Sequence, residues 1–216
     1  ELYGSEETHY LVNGSTSGIL AAISGCTAAG GTVLLARNSH KSAYHAVLLR
    51  GLHVHYIYPQ PAGKMGINGP VTAENVDRLL EEHPETKMVY ITSPTYDGVV
   101  SDVEQIAEVV HRRKLPLIVD EAHGAHFPFS EKFPKDSVSC GADVVIHSVH
   151  KTLPSLTQTA LIHLNGDLIN REKIRYFLGV YQSSSPSYVM MAGIDQCMEW
   201  VSSHRKEFDS FAQRLQ

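Results

Sequence analysis

Short apolar runs alternate along the chain with longer segments in which apolar residues recur every three to four positions. The short runs are rich in β-branched residues and are apolar on both faces, which is typical of strands buried on both sides of a parallel sheet. They predict strands over residues 32–36, 52–58, 87–92, 115–119, 143–147 and 159–164, with a shorter extended run at 9–12.

The longer segments have the spacing of amphipathic helices. They predict helices over residues 17–26, 41–50, 72–83, 101–114 and 170–181, and one long helix over 186–216. At the start of the fourth helix, Ser101 and Glu104 have the spacing of a capping box. Alternating strands and helices predict βαβ units and a three-layer α/β/α fold with a mostly parallel sheet. Ligands of such sheets bind at the carboxyl ends of the strands.

The composition is that of a globular protein. The 216 residues are 43% hydrophobic and 19% charged, which excludes a disordered or fibrous chain. The net charge is −5 and no long basic run occurs, so a nucleic-acid partner is not expected. No apolar run is long enough for a membrane span. The three cysteines are odd in number and widely spaced, so we expect no disulfide framework and a reducing compartment, the cytoplasm.

The first candidate site follows the run at 9–12. Residues 12–18 combine three hydroxyls and two glycines at the start of a helical segment, which favours an anion site at a helix N-terminus. The segment is not a P-loop, because no Gly-Lys-Ser/Thr follows, and it is not the dinucleotide motif G-x-G-x-x-G. An ordinary helix cap explains it equally well.

The second candidate, residues 120–126, directly follows a predicted buried strand. Asp120 at the end of that strand is unfavourable unless a cation or a hydrogen-bond donor faces it. Asp-Glu-Ala-His is also a helicase ATPase string, but that function needs a lysine-containing phosphate loop, which the chain lacks. A metal site of Asp120, His123 and His126 is a further alternative, although we expect no metal. The remaining interpretation is that Asp120 faces a buried cationic heterocycle.

The third candidate is Lys151, which follows the predicted strand 143–147 among histidines and serines. A surface lysine in a turn is the ordinary alternative. A desolvated lysine, however, has a lowered pKa and is suited to Schiff-base chemistry. An anion-binding helix start, an aspartate for a ring nitrogen and a lysine for an aldehyde are together the three anchors of pyridoxal 5'-phosphate.

The combined motifs resemble those of the fold type I pyridoxal-phosphate enzymes, and most of all the large domain of the Orn/Lys/Arg decarboxylases. The resemblance runs through essentially the whole chain. The matching pieces are Asn13-Gly14-Ser15-Thr16-Ser17, Arg37-Asn38-Ser39-His40-Lys41-Ser42, Ser93-Pro94-Thr95-Tyr96-Asp97-Gly98, Asp120-Glu121-Ala122-His123, His147-Ser148-Val149-His150-Lys151 and Ser183-Ser184-Ser185-Pro186.

The resemblance implies a catalytic role for three residues. Lys151 corresponds to the lysine that binds the cofactor aldehyde, and Asp120 to the aspartate that keeps the pyridine nitrogen protonated. His40 corresponds to the histidine that stacks on one face of the ring, with a helix cap before Lys41 as the alternative. Ala122 is expected to pack on the opposite face.

Further positions are implied to hold the phosphate or to line the site. The phosphate ligands within the same chain are Ser15, Thr16, Ser148 and His150. Ser183 and Ser184 match a segment that reaches the phosphate of the neighbouring subunit, which implies a homodimer or a higher oligomer. Thr95 and Asp97 are expected to form a wall near the ring, and the role of His123 stays open.

The implied reaction is decarboxylation of lysine, ornithine or arginine to a diamine or agmatine. Residues 1–185 are expected to be the cofactor-binding large domain without its N-terminal part, and 186–216 a helix that leads toward a C-terminal domain outside this chain. Three alternatives remain: another fold type I activity such as an aminotransferase or lyase, a non-catalytic assembly module, and the ATPase considered above.

Overall fold

The described residues form seven strands and eight α-helices. The structure is a computed structural model that describes residues 2–63 and 66–215. The strands are β1 (Glu7–Leu11), β2 (Thr32–Ala36), β3 (His53–Ile57), β4 (Thr86–Thr92), β5 (Leu117–Asp120), β6 (Val144–His147) and β7 (Ala160–Leu164). The helices are α1 (Gly14–Cys26), α2 (Lys41–Arg50), α3 (Ala73–Glu82), α4 (Val103–Arg112), α5 (Val149–Thr152), α6 (Arg171–Tyr181), α7 (Tyr188–Ser203) and α8 (Arg205–Leu215).

All seven strands form one sheet in the order β1-β7-β6-β5-β4-β2-β3. Neighbouring strands from β3 through β6 pair in parallel, whereas β7 runs antiparallel to both β6 and β1. The predicted mostly parallel sheet is confirmed. Thr92 pairs with Asp120, and Asp120 with Ile146. The carboxyl ends of β4, β5 and β6 therefore lie side by side at one end of the strands.

Helices cover both faces of the sheet, because successive strand residues point to opposite sides. In β4, Met88 and Tyr90 pack with α1, α2 and α6, whereas Val89 and Ile91 pack with α3 and α4. The two apolar layers confirm the predicted α/β/α arrangement. None of the helices in residues 2–63 and 66–215 is long and apolar enough to cross a membrane.

Two helix predictions differ from the structure. The predicted helix over 186–216 is two helices that meet at His204, and both Glu1 and Gln216, the ends of the two predicted domains, lie outside the described residues. Ser202 and Ser203 donate to the Glu199 carbonyl, so side chains compete for the carbonyls of the last turn of α7.

The capping box predicted at Ser101 is also wrong. The cap of α4 is Asp102, whose carboxylate accepts the backbone N–H of Gln105. Ser101 Oγ accepts the N–H of Val71 instead, at 3.0 Å. The serine therefore serves a contact between distant segments, which sequence spacing does not reveal.

Helices α1 and α6 approach each other closely at Gly25. A Cβ there would lie 2.5 Å from Ile174 Cγ1 and 3.0 Å from its backbone N and Cα. We expect Gly25→Ala to lower the free energy of unfolding by about 1–3 kcal/mol, because backbone cannot move aside as a flexible side chain can. Urea unfolding measures this change.

Gly179 on α6 provides the matched control, since a Cβ there meets no atom within 4 Å. Gly179→Ala is expected to raise stability by roughly 0.5–1 kcal/mol through helix propensity alone. Equal effects of the two substitutions would contradict the close approach of α1 to α6.

Candidate active site

A cavity of about 520 Å³ opens at the edge of the sheet where β2, β4, β5 and β6 end and β7 begins. Eight of the ten residues predicted to bind a cofactor line it: Ser15, Thr16, His40, Asp120, Ala122, Ser148, His150 and Lys151. Parallel strands bring their carboxyl ends together, which explains how residues so far apart in sequence share one cavity.

Asp120, the last residue of β5, is only 2% exposed. Tyr90 Oη donates a hydrogen bond to its Oδ2, and the backbone N–H of Ala122 donates to its Oδ1, each at 3.2 Å. Burial raises the pKa of Asp120, while the charge of Lys151 and these two hydrogen bonds oppose the rise. A cation in the cavity would therefore stabilise the carboxylate.

Lys151 lies on the single turn α5, directly after β6, and is open to the cavity. Its Nζ is 3.1 Å from Nε2 of His123. Partial desolvation lowers the pKa of Lys151, against the opposing effect of Asp120. Desolvation also lowers the pKa of His123, so its neutral ring can accept a hydrogen bond from the lysine. An amine with a lowered pKa is suited to attack a carbonyl.

The start of α1 supplies hydrogen-bond donors. Ser148 Oγ donates to Ser15 Oγ at 2.9 Å, which joins the loop after β6 to the first turn of α1. Asn13, the cap residue, makes no side-chain hydrogen bond to the helix and instead donates its amide to the Tyr181 carbonyl at 3.2 Å. The N–H of Gly14 donates to the Gln158 carbonyl at 2.9 Å, whereas those of Ser15 and Thr16 have no partner among the described residues and stay available to an anion.

Two histidines of the cavity have their ring orientation fixed by backbone contacts. His150 Nδ1 lies 2.9 Å from the carbonyl oxygen of Thr159, so this nitrogen carries the proton. His40 caps α2, because its Nδ1 accepts the N–H of Ser42 at 3.3 Å. The neutral His40 ring consequently carries its proton on Nε2. His40 is thus a helix cap and a cavity residue at once.

The family model of the Orn/Lys/Arg decarboxylase major domain matches residues 1–211. The chain belongs to this family. It is 42% identical to the uncharacterized protein YaaO of Bacillus subtilis strain 168, over 93% of this chain and 42% of that protein. It is 32% identical to the arginine decarboxylase of the same organism, over 96% of this chain and 42% of that protein. The chain therefore spans 42% of the length of these two relatives.

A solved structure of a lysine decarboxylase, LdcF of Francisella novicida, superposes with a TM-score of 0.76. The sequences are 23% identical, and the match covers 91% of this chain and 29% of that one. At this identity the likeness shows the fold. It confirms the predicted fold of the large domain.

Some positions that the decarboxylase resemblance singled out lie outside the cavity. Ser183 and Ser184 are exposed between α6 and α7. Thr95 and Asp97 do not form the expected wall: Thr95 is buried in its turn, where its Oγ1 accepts the N–H of Val99. The wall residue of this loop is Tyr96, which lines the cavity and is 88% exposed.

Glu121 and His147 form a buried contact that sequence reasoning missed. Glu121 accepts hydrogen bonds from Ser137 Oγ at 2.7 Å and lies 2.7 Å from His147 Nε2. His147 Nδ1 lies 3.0 Å from Nε2 of His163. Glu121 follows Asp120, and His147 precedes the Lys151 turn. The contact therefore holds the loop after β5 against the end of β6 and so positions the two chemical groups.

The metal alternative for Asp120, His123 and His126 finds no support. Within residues 2–63 and 66–215, the donor atoms of these three side chains do not gather around one point, whereas another group does.

The donor set of the cavity fits pyridoxal phosphate, the cofactor implied by the family. It combines an amine, a buried carboxylate and several hydroxyls beside a helix N-terminus. Asn38, another lining residue, has a buried Oδ1 without a hydrogen-bond partner among the described residues. A buried oxygen without a hydrogen bond lowers the free energy of unfolding by about 1–3 kcal/mol, and a polar ligand would offer it a partner.

Proposed function

We propose that this chain is the cofactor-binding part of a pyridoxal-phosphate-dependent decarboxylase that acts on lysine, ornithine or arginine and releases a diamine or agmatine. The observation that carries the proposal is that Lys151 and buried Asp120 share one cavity with an anion-binding helix start. Membership of the Orn/Lys/Arg decarboxylase family supports it, as does the likeness to an arginine decarboxylase.

Three groups of lining residues would hold the cofactor, each at a different part of it. Ser15, Thr16, Ser148 and His150 would hold the phosphate, together with the N–H groups of Ser15 and Thr16. Asp120 would pair with the pyridine nitrogen, and His40 and Ala122 would pack against the ring. When bound, the cofactor supplies an electron-accepting ring for the electrons released as the carboxylate leaves.

Lys151 would hold the cofactor through its Nζ. His123 accepts a hydrogen bond from Nζ, which orients the lysine toward the cavity. After CO2 leaves, the substrate Cα needs a proton. The ammonium form of Lys151 or the protonated ring of His40 would supply it as the general acid.

The assembly and location are part of the same proposal. Ser183 and Ser184, exposed and outside the cavity of their own chain, reach the phosphate of a second subunit in a homodimer or a higher oligomer. We propose that the enzyme works in the cytoplasm, where Cys26, Cys140 and Cys197 stay reduced. Neither nucleic acid nor membrane takes part in the reaction.

The test is release of CO2 by the full-length protein supplied with pyridoxal phosphate and, separately, lysine, ornithine and arginine. We expect release well above a cofactor-only control with at least one of the three. Transfer of the amino group without CO2 would replace the proposal by an aminotransferase activity. Absence of both reactions in a protein that still binds the cofactor would leave a non-catalytic assembly role.

A further inference from the structure

Two histidines and a glutamate meet at the edge of the sheet formed by β3, apart from the cavity. His55 lies in the middle of β3, His83 follows the last residue of α3, and Glu85 precedes β4. The exposed fractions of these side chains are 34%, 27% and 50%, so solvent reaches all three. No step of the proposed reaction uses them.

Each of the three side chains offers one ligand atom, and the three atoms lie close together. Glu85 Oε1 lies 3.0 Å from His55 Nε2 and 3.7 Å from His83 Nδ1, and all three atoms are within 4.8 Å of one another. Zinc–nitrogen and zinc–oxygen bonds of about 2.0–2.2 Å place tetrahedral ligands roughly 3.3–3.5 Å apart. The observed separations bracket that value.

The two imidazole rings are stacked rather than turned away from each other. Their centroids are 3.4 Å apart and their planes differ by 8°. An imidazole nitrogen binds a metal in the plane of its ring, so one of the two stacked rings must turn before both can bind the same ion, and the partial exposure of both side chains leaves room for that movement. The end of α3 favours a cation here, because a helix C-terminus carries partial negative charge and the last turn of α3 has no basic residue.

We propose that His55, His83 and Glu85 form a site for a divalent transition metal of the zinc type, with solvent in the remaining position. Imidazole and carboxylate ligands suit zinc, nickel and copper, whereas magnesium and calcium prefer all-oxygen sites. The site is separate from the decarboxylase cavity and does not depend on the proposed function.

The metal would stabilise the packing of the outermost strand, β3. β3 pairs with β2 on one side only and so ends the sheet. One ion bound to His55, His83 and Glu85 ties this strand to the end of α3 and the start of β4. Ligands that bind only the folded state raise its stability. Zinc is therefore expected to raise the Tm of the protein.

The experiment is calorimetric titration of the metal-stripped, full-length protein with Zn²⁺, together with its Tm with and without the ion. We expect saturable binding at one ion per chain at this site and a higher Tm. His55→Ala and His83→Ala should each weaken this binding at least tenfold and remove the Tm shift. Mg²⁺ at the same concentration should shift nothing.

His53→Ala is the matched control, because His53 is an exposed histidine of the same strand outside the group. It should bind Zn²⁺ as the unmodified protein does. Glu85→Gln keeps the size of the side chain and removes its charge, so it should weaken binding without affecting the fold. Two results would overturn the proposal. One is the absence of saturable Zn²⁺ binding, and the other is binding by His55→Ala and His83→Ala as tight as that of the unmodified protein.

Discussion

Replacing Lys151 by alanine is expected to abolish covalent attachment of the cofactor and to reduce CO2 release by roughly four orders of magnitude, about 5.5 kcal/mol of barrier. Lys151 Nζ is the amine that follows β6 into the cavity, and desolvation lowers its pKa. A larger share of the lysine is therefore unprotonated, the form that attacks a carbonyl. Decarboxylation kinetics measure the loss.

Covalent attachment of the cofactor to Lys151 is measured separately from activity. Borohydride makes a carbonyl–amine linkage permanent, so mass spectrometry of the treated protein should find the added mass on the peptide that contains Lys151. The Lys151→Ala protein should lack it, and Lys173→Ala, at an exposed lysine of α6, should keep both the mass and the activity. Added mass on any other peptide would rule out Lys151 as the attachment site.

The residues at the strand ends were predictable from the sequence. The bounds of β2 and α2 match their predictions, because a continuous apolar run and a glycine in the left-handed region at Gly51 are local signals. Asp120 and Lys151 come within four residues of the ends of such runs. Once the sheet is parallel, their meeting at one edge follows from topology alone.

Contacts between distant segments could not be predicted in this way. Tyr90 holds Asp120 from the neighbouring strand, and His123 contacts Lys151 across the cavity. Both depend on the pairing of particular strands and on loop conformation, which no spacing in the sequence encodes. The same is true of His55 and His83, which only the packing of α3 beside β3 brings together.

The pKa shifts of Asp120 and Lys151 share a physical origin. Burial raises the pKa of the carboxyl and lowers that of the amine, and each group opposes the shift of the other. Burial thus favours the neutral form of both groups, and the charge of each opposes that effect on the other. A cationic ring beside Asp120 would favour the carboxylate.

Asp120→Asn is expected to reduce CO2 release by about 100- to 1000-fold, which corresponds to about 3–4 kcal/mol. The asparagine has the same size but cannot carry the negative charge that keeps the pyridine nitrogen protonated. Binding of the cofactor should persist, because the phosphate ligands and Lys151 are unchanged. Single-turnover kinetics of the cofactor-loaded protein measure the chemical step apart from binding.

Stability distinguishes this catalytic role from a structural one. The substitution removes a buried carboxyl that is costly to desolvate and weakens one hydrogen bond from Tyr90, so the free energy of unfolding should change by no more than about 1–2 kcal/mol. Tyr90→Phe removes the same hydrogen bond and keeps the charge, so it should reduce activity less than tenfold. If Asp120→Asn and Tyr90→Phe lost activity equally, the hydrogen bond rather than the charge would be what the reaction requires.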